Sequence, residues 1–253
     1  MKNIIKFFRS VANAGFFNSM LKVIQYIKGS IMWSRILRIN NLEDRFTEIY
    51  NSNAWNDDES VSGTGSSFKA TKLLRSQLPN VFKELEIESI LDAPCGDFRW
   101  IKSIIESSNI SYVGADIVQD IVDSNNNEYS CKNINFLKLD ITADYLPKAD
   151  LMFCRDCLFH LSFIDIHKTL QNFVSSETKY LMTTTHINSG KFENLDISSG
   201  DYRKIDLFSA PFGFPIDTVY EVDDWLAPEP PRKMYVWSRD QIKNVLEISN
   251  FSD

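Results

Sequence analysis

Short apolar segments alternate with helical segments through the middle of the chain. Five apolar segments have the length and composition of strands: 88–93, 111–116, 134–140, 149–154 and 179–185. The residues between them have the periodicity of helices, and such alternation forms a parallel sheet covered on both faces. Two later segments, 217–222 and 233–237, indicate an antiparallel pair. The pattern therefore predicts an α/β fold: a doubly wound, Rossmann-like seven-stranded sheet, mostly parallel, with an antiparallel C-terminal pair.

Residues 1–46 differ from the rest and are predicted to be a basic, amphipathic helical extension of a domain that spans 47–253. In its first part Lys2, Lys6 and Arg9 fall on one helical face, and apolar side chains fall on the opposite one: Ile4, Phe8, Val11 and Ala12. A second apolar run precedes Gly29: Phe17, Met20, Leu21, Ile24 and Ile27. We interpret these runs as a helical layer packed on the domain or on a second subunit, as in a homodimer. The alternative is a peripheral helix on an anionic membrane surface.

The region that joins the extension to the first strand is predicted to be helical on both sides of a glycine-rich loop. A helix over 42–50 leads into the loop, where Ser66 or Ser67 is placed to cap the next helix. Pro79 is expected to restart a further turn of helix. At the other end of the chain, Ser238 and Gln241 have the spacing of a capping box that opens the last helix.

Composition narrows the class of protein. The 253 residues are 43% hydrophobic and 24% charged, which excludes collagen, a disordered regulator and a small disulfide scaffold. The net charge of −7 is uneven: residues 1–41 hold seven bases and no acid, whereas the remainder holds 20 bases and 34 acids. This acidic body argues against nucleic-acid binding. Four cysteines and no spanning apolar stretch favour a reducing, cytoplasmic location, peripheral to the membrane if the extension binds it.

The ends of the first two predicted strands carry the residues of a nucleoside site. The first strand runs into Asp92-Ala-Pro-Cys-Gly96-Asp97, and the second ends at Asp116, twenty residues after Gly96. An acid at that distance accepts hydrogen bonds from ribose hydroxyls. A dinucleotide would require more glycines and a helix N-terminus free of negative charge, and Asp97 opposes this. The cationic sulfonium and ammonium groups of S-adenosylmethionine suit the turn better. Alternatively, each acid alone could only cap a turn.

These motifs resemble those of class I S-adenosylmethionine-dependent methyltransferases. The resemblance rests on D-A-P-C-G-D, G-A-D-I and L-D-I and covers roughly residues 47–253. Two further stretches, S-G-T-G-S-S and C-R-D-C-L-F-H-L-S, resemble a bacterial subgroup linked to capsule and surface-polysaccharide modification, in particular the methyltransferases of O-methyl phosphoramidate decoration. The sequence departs from the class where Asp97-Phe98 replaces G-x-G.

The resemblance implies a role for each matching residue. Asp92, Cys95, Gly96 and Asp97 would surround the methionine part of the cofactor. Asp116 would hold the ribose, and the adenine would lie against Ile117, Asp140 and Ile141. Arg155 would lie under the cofactor near the methyl group, and the cofactor carboxylate would meet Gly63 and Ser67.

Cys154-x-x-Cys157-x-x-His160 permits two other interpretations. A C-x-x-C pair after a strand is typical of redox proteins, and cysteine with histidine can bind zinc, with Cys95 as the nearest further ligand. Both conflict with the nucleoside site predicted at the same edge, so we predict no metal. Cys131 is expected to be structural.

Three residues near strand ends are candidates for acid–base chemistry. Asp156, His160 and His186 could remove a proton from a hydroxyl acceptor, whereas an anionic acceptor would need no base. The long segment after His186 is predicted to form a lid or acceptor pocket, in which Lys191, Arg203 and Lys204 could neutralise an anion. The predicted partner is thus a small-molecule or saccharide acceptor, an anionic one included. A nucleoside-binding module without catalytic activity is the remaining alternative.

Overall fold

A computed structural model describes residues 16–55, 57 and 59–248 of the chain. The central feature is one seven-stranded sheet in the order β3-β2-β1-β4-β5-β7-β6. Its strands are β1 (Ser89–Asp92), β2 (Ser111–Asp116), β3 (Ile134–Lys138), β4 (Leu151–Cys154), β5 (Tyr180–His186), β6 (Tyr220–Asp223) and β7 (Arg232–Ser238). Strands β1 to β5 are parallel, and β7 is antiparallel to both β5 and β6. The predicted fold is confirmed, including the antiparallel C-terminal pair.

Helices cover both faces of the sheet. They are α1 (Phe16–Ile36), α2 (Leu42–Asn51), α3 (Lys72–Glu84), α4 (Lys102–Glu106), α5 (Gln119–Tyr129), α6 (Phe163–Ser175) and α7 (Arg239–Ile248). Neighbouring residues of one strand belong to different apolar clusters: Leu91 packs with α6 and α7, and Ile90 packs with α3 and α4. Because successive strand side chains point to opposite faces, the sheet is buried on both. None of the helices in the described part of the chain has the length and apolar composition needed to cross a membrane.

Two local predictions about α3 are wrong. Pro79 lies inside one continuous helix and does not restart a turn. A proline there removes a backbone donor at a cost of about 3 kcal/mol, which the burial of the helix's apolar side offsets; Leu78 and Val81, beside the proline, are fully buried. Neither Ser66 nor Ser67 caps α3, because the N-cap residue is Thr71. The Ser67 hydroxyl accepts instead from Ala70 N (3.2 Å) in the turn before the helix. By contrast, Ser238 and Gln241 form the predicted capping box at α7.

The described part of the extension is helical, and its apolar run is not packed on the domain; packing on a second subunit stays a prediction. Helix α1 continues through Gly29 to Ile36, and the side chains of Met20, Leu21, Ile24 and Ile27 are exposed instead of packed on the domain. The first predicted run, within residues 1–15, lies outside the described residues. The predicted boundary between residues 46 and 47 falls inside α2, whose side chains on both sides of that point line the cleft described next.

Candidate functional site

A cleft opens at the carboxyl ends of β1 to β4. Strand order reverses between β1 and β4, which is where open parallel sheets bind ligands. The cleft holds about 1040 Å³ of empty space, part of it open to solvent. Most of the residues predicted to bind a cofactor line it: Asp92, Cys95, Gly96, Asp116, Ile117, Asp140, Ile141 and Arg155. Gly63, Ser67 and Asp97 do not, and the glycine-rich loop contributes Ser62 and Ser66 in their place.

The Asp116 carboxylate is fixed at the floor of the cleft by two backbone donors. Its Oδ2 accepts from Gly96 N (3.2 Å) and its Oδ1 accepts from Val118 N (3.0 Å). Burial raises the pKa of Asp116 to about 6, although these backbone N–H groups act in the opposite direction. Each oxygen keeps a further lone pair, so the carboxylate is ready to accept from two hydroxyls.

Asp92 is the second buried acid of the cleft. Its Oδ2 accepts from the Tyr112 hydroxyl at 2.6 Å. Burial raises the pKa of Asp92 to about 7; the Tyr112 hydrogen bond opposes the shift and the nearby Asp116 adds to it. Two acids with raised pKa values in one cleft favour a ligand that carries positive charge.

The turn after β1 keeps a tight shape without the glycines of a dinucleotide fingerprint. Gly96 has a φ of +53°, and a Cβ there would overlap the Ser62 side chain. Phe98 also has a positive φ, +57°, which is unfavourable for an aromatic residue. Its ring is fully buried against Tyr112 and Phe136, and this packing holds the conformation. The departure from G-x-G therefore preserves the turn.

Asp140 and its neighbours form the far wall of the cleft. Asp140 Oδ1 accepts from both N and Oγ1 of Thr142, at 2.8 and 2.7 Å. Ile117 and Ile141 line the same cleft. A carboxylate beside two aliphatic side chains suits a flat heterocycle with an exocyclic amino group.

Four charged side chains meet where the glycine-rich loop approaches β4 and β7; Arg155, Asp224 and Arg232 are buried, and Asp156 is half-buried at the edge of the cleft. Arg155 donates from Nε and Nη2 to the two carboxylate oxygens of Asp224 (2.8 and 2.9 Å) and also to Gly65 O (3.0 Å). Asp156 accepts from Arg232 Nη2 (3.1 Å) and lies 3.3 Å from Arg155 Nη1. Burial alone would raise the pKa of Asp156, but the two guanidinium groups outweigh it and hold the pKa below its usual value. Asp156 is therefore ionised and paired.

A second cavity of about 1130 Å³, also open to solvent, adjoins the cleft. The two spaces share four lining residues: Trp55, Ser62, Asp156 and His160. Gly63 and His186 line only the second cavity, together with Trp33 of α1 and Tyr202. The indole Nε1 of Trp55 is buried without a hydrogen-bond partner at this junction. The junction thus offers one unpaired donor beside His160.

The two histidines near the second cavity hold opposite tautomers. His160 Nδ1 lies 2.8 Å from Asp201 O, so Nδ1 carries the proton and Nε2 keeps a free lone pair. His186 Nδ1 accepts from Ile205 N (3.2 Å), so its proton is on Nε2, 3.5 Å from the Tyr202 hydroxyl. Burial lowers the pKa of both rings, to about 4 for His186. Both are neutral at pH 7, but only His160 has a nitrogen free to accept a proton.

The cysteines are poorly placed for redox or metal chemistry. Cys95, Cys154 and Cys157 are buried free thiols, and a hydrogen bond to Cys154, together with burial, raises the pKa of Cys157 well above its usual value. A thiol that resists ionisation is a weak nucleophile and a weak metal ligand. Within residues 16–55, 57 and 59–248, no group of three histidines, cysteines or acids is arranged to hold a metal ion.

The bases predicted to neutralise an anion lie away from the second cavity. Arg203 is buried and donates to Leu161 O, and Lys204 lies over the Phe192 ring. Lys191 lines a separate surface hollow. An anionic group in the second cavity would find none of the three.

Sequence reasoning missed several residues of the site. Four of them lie far along the chain from the residues that they meet: Trp33, Tyr202, Asp224 and Arg232. The fifth, Trp55, is close to the glycine-rich loop in sequence and in space. One chemical argument could have indicated Asp224: Arg155 directly follows β4, and an arginine that is buried there needs a buried acid as its partner.

No protein-family model and no curated protein sequence matches the chain, but many solved structures share its fold. Human N-acetylserotonin methyltransferase, in complex with S-adenosylmethionine, is 13% identical with a TM-score of 0.54; the match covers 77% of this chain and 58% of that one. Magnesium protoporphyrin IX methyltransferase from Synechocystis PCC 6803, also with S-adenosylmethionine bound, is 12% identical with a TM-score of 0.56, covering 80% and 99%. A methyltransferase from Leishmania major is 17% identical with a TM-score of 0.57, covering 82% and 90%. At these identities the likeness establishes the fold, which is that of class I methyltransferases.

Proposed function

We propose that the protein is an S-adenosylmethionine-dependent methyltransferase that methylates an oxygen of a small molecule or saccharide. One observation carries the proposal: the Asp116 carboxylate, held by two backbone N–H groups, faces a cleft at the switch point of a class I methyltransferase fold. The fold neighbours with bound S-adenosylmethionine support it.

The residues of the cleft fit this cofactor by charge. Asp116 would bind the ribose hydroxyls, Asp140 with Ile117 and Ile141 would surround the adenine, and Asp92 would face the cationic part. The one arginine among the described residues that line the cleft, Arg155, is already paired with Asp224, so phosphate groups would meet carboxylates and no free cation. The bound cofactor supplies an electrophilic methyl group on a sulfonium.

The second cavity is the proposed acceptor site, and His160 is the proposed base. His160 lines both spaces, with Nε2 free and Nδ1 held by Asp201 O. It would take the hydroxyl proton as the acceptor oxygen attacks the methyl carbon. Asp156 is committed to Arg155 and Arg232, so we assign it to positioning; His186 faces the cavity as a donor, so we remove it from the base role.

Charge around the second cavity favours an acceptor without an anionic group. Its one cation among the described lining residues, Arg232, is paired with Asp156, and the lining also includes the acids Asp201 and Glu229. Trp33 and Trp55 offer flat surfaces that suit a sugar ring or an aromatic alcohol. A neutral saccharide hydroxyl is the acceptor we propose, and a role in surface-polysaccharide synthesis rests on the sequence resemblance.

We expect Asp116→Ala to weaken cofactor binding by about 1.5–3 kcal/mol, roughly 10- to 150-fold, because two charge-assisted hydrogen bonds are lost. Titration calorimetry with S-adenosylhomocysteine measures it. Asp123→Ala, an exposed acid of α5, is the matched control. If Asp116→Ala bound S-adenosylhomocysteine with unchanged affinity, the assignment of Asp116 to the ribose would be wrong.

Cofactor affinity should also rise with pH. The pKa values of about 7 for Asp92 and about 6 for Asp116 mean that both acids are largely protonated at low pH. The ionised carboxylates attract the cationic ligand, so protonation weakens its binding. Below the pKa of each acid, the dissociation constant should increase by up to about tenfold per pH unit for that acid. Calorimetry with S-adenosylmethionine between about pH 5 and 8 tests this, and Asp92→Asn should flatten the upper part of the profile. A flat wild-type profile would contradict the assignment of these acids.

A further inference from the structure

Helix α1 exposes an apolar stripe along one side. Met20, Ile24, Ile27 and Ile31 follow one another at helical spacing, and each is between 38% and 55% exposed. Leu21 beside them is 50% exposed. Side chains of this size in a continuous row mark a binding surface more often than scattered apolar residues do.

Helix α1 meets the domain at its C-terminal end. Ile36 is 1% exposed, and Trp33 lines the second cavity. Trp33 lies about half a helical turn around the axis from Ile24, at 100° per residue. At this end of the helix the stripe residue Ile31 therefore faces away from the domain, and residues 20–28 are exposed on most sides.

The charges of α1 are all of one sign. Lys28 and Arg35 each follow a stripe residue by four positions, Ile24 and Ile31, so they share its side of the helix. Both are exposed. No acid occurs between residues 1 and 41, whereas residues 42–253 carry a net charge of −14. Two of the three bases of α1 thus lie beside the apolar stripe, and the third, Lys22, lies on the opposite side of the helix.

We propose that α1 lies on an anionic lipid surface, with the stripe in the acyl boundary and Lys28 and Arg35 against lipid phosphates. Long basic side chains can place their stems in the apolar layer and their charges at the headgroups. Pairing with a second α1 would bring these bases together with no acid on either helix, which disfavours a dimer formed by two α1 helices. The proposal does not depend on the methyltransferase assignment.

Vesicle co-sedimentation of the full chain tests the proposal. We expect binding to vesicles of phosphatidylglycerol and phosphatidylcholine in equal amounts, little binding to pure phosphatidylcholine, and a decrease with added salt. Lys28→Gln and Arg35→Gln should each weaken binding about fivefold. Ile24→Asp with Ile27→Asp should abolish it. Ile216→Asp, at a residue 85% exposed outside α1, and Lys132→Gln are the matched controls and should bind as wild type.

Three results would overturn the proposal. They are no binding to either vesicle, equal binding to both vesicles without a salt effect, and a dimer in light scattering that Ile24→Asp with Ile27→Asp dissociates in the absence of vesicle binding. Because the substituted side chains are exposed, circular dichroism should show a folded protein for every variant.

Discussion

Replacing His160 by alanine should lower the turnover number by about 10²–10⁴ and leave the affinity for S-adenosylmethionine nearly unchanged. The reason is geometric: His160 lies where the cleft and the second cavity meet, and its Nδ1 is held by Asp201 O so that Nε2 is free. Burial lowers the pKa of His160, so at saturating S-adenosylmethionine the turnover number should persist below the usual histidine pKa of about 6.5.

Two variants separate a catalytic from a structural role. His167→Ala, at the histidine of α6 outside both cavities, should retain wild-type turnover. His160→Gln keeps a donor toward Asp201 O but has no basic nitrogen, so it should be as slow as alanine. Loss of cofactor affinity in parallel with turnover, or full activity in either His160 variant, would remove His160 from the chemistry.

The second large effect is on stability. Asp224→Ala should lower the free energy of unfolding by about 3–5 kcal/mol, because it leaves the Arg155 guanidinium buried without its bidentate partner. The neighbouring Asp223 pairs with Lys233 at the surface (3.4 Å), so Asp223→Ala should cost less than about 1 kcal/mol. Denaturant unfolding followed by circular dichroism compares the two.

The comparison is decisive because the two acids are adjacent in sequence and differ in burial. If Asp224→Ala were no more destabilising than Asp223→Ala, the buried pairing of Arg155 with Asp224 would not stabilise the fold as described. Asp224→Asn should fall between the two, since an amide oxygen can still accept one hydrogen bond from Arg155.

The features that could be predicted from the sequence are those set by short-range patterns. Strand and helix alternation fixed the order of elements, and the ends of parallel strands share one edge of the sheet, so Asp92, Asp116 and Asp140 were expected together. The structure places all three in one cleft. Their function as cofactor ligands remains a proposal.

The features that could not be predicted depend on contacts between distant segments. Arg155 meets Asp224 across 69 positions, and Asp156 meets Arg232 across 76. No local periodicity encodes such pairs. The same limit applies to α1: its apolar spacing predicted a helix, but only the structure shows that Met20, Ile24 and Ile27 are not packed on the domain.

Phe98 shows a different limit. Its positive φ contradicts the ordinary preference of an aromatic residue, and a turn that depends on it looks from sequence like a defective glycine motif. A glycine would adopt this φ without strain, whereas Phe98 needs its packing on Tyr112 and Phe136 to offset the strain. The replacement of one motif glycine is therefore weak evidence against a site when the other motif residues are at their expected positions.

Titration calorimetry of the purified chain with S-adenosylmethionine tests the central claim most directly. We expect binding of one equivalent that releases protons at about pH 6, because Asp92 and Asp116 ionise as the cation binds. NAD should show no binding under the same conditions, since the carboxylates of the cleft repel its pyrophosphate. Absence of heat with S-adenosylmethionine and with S-adenosylhomocysteine, or binding of NAD in their place, would contradict the account.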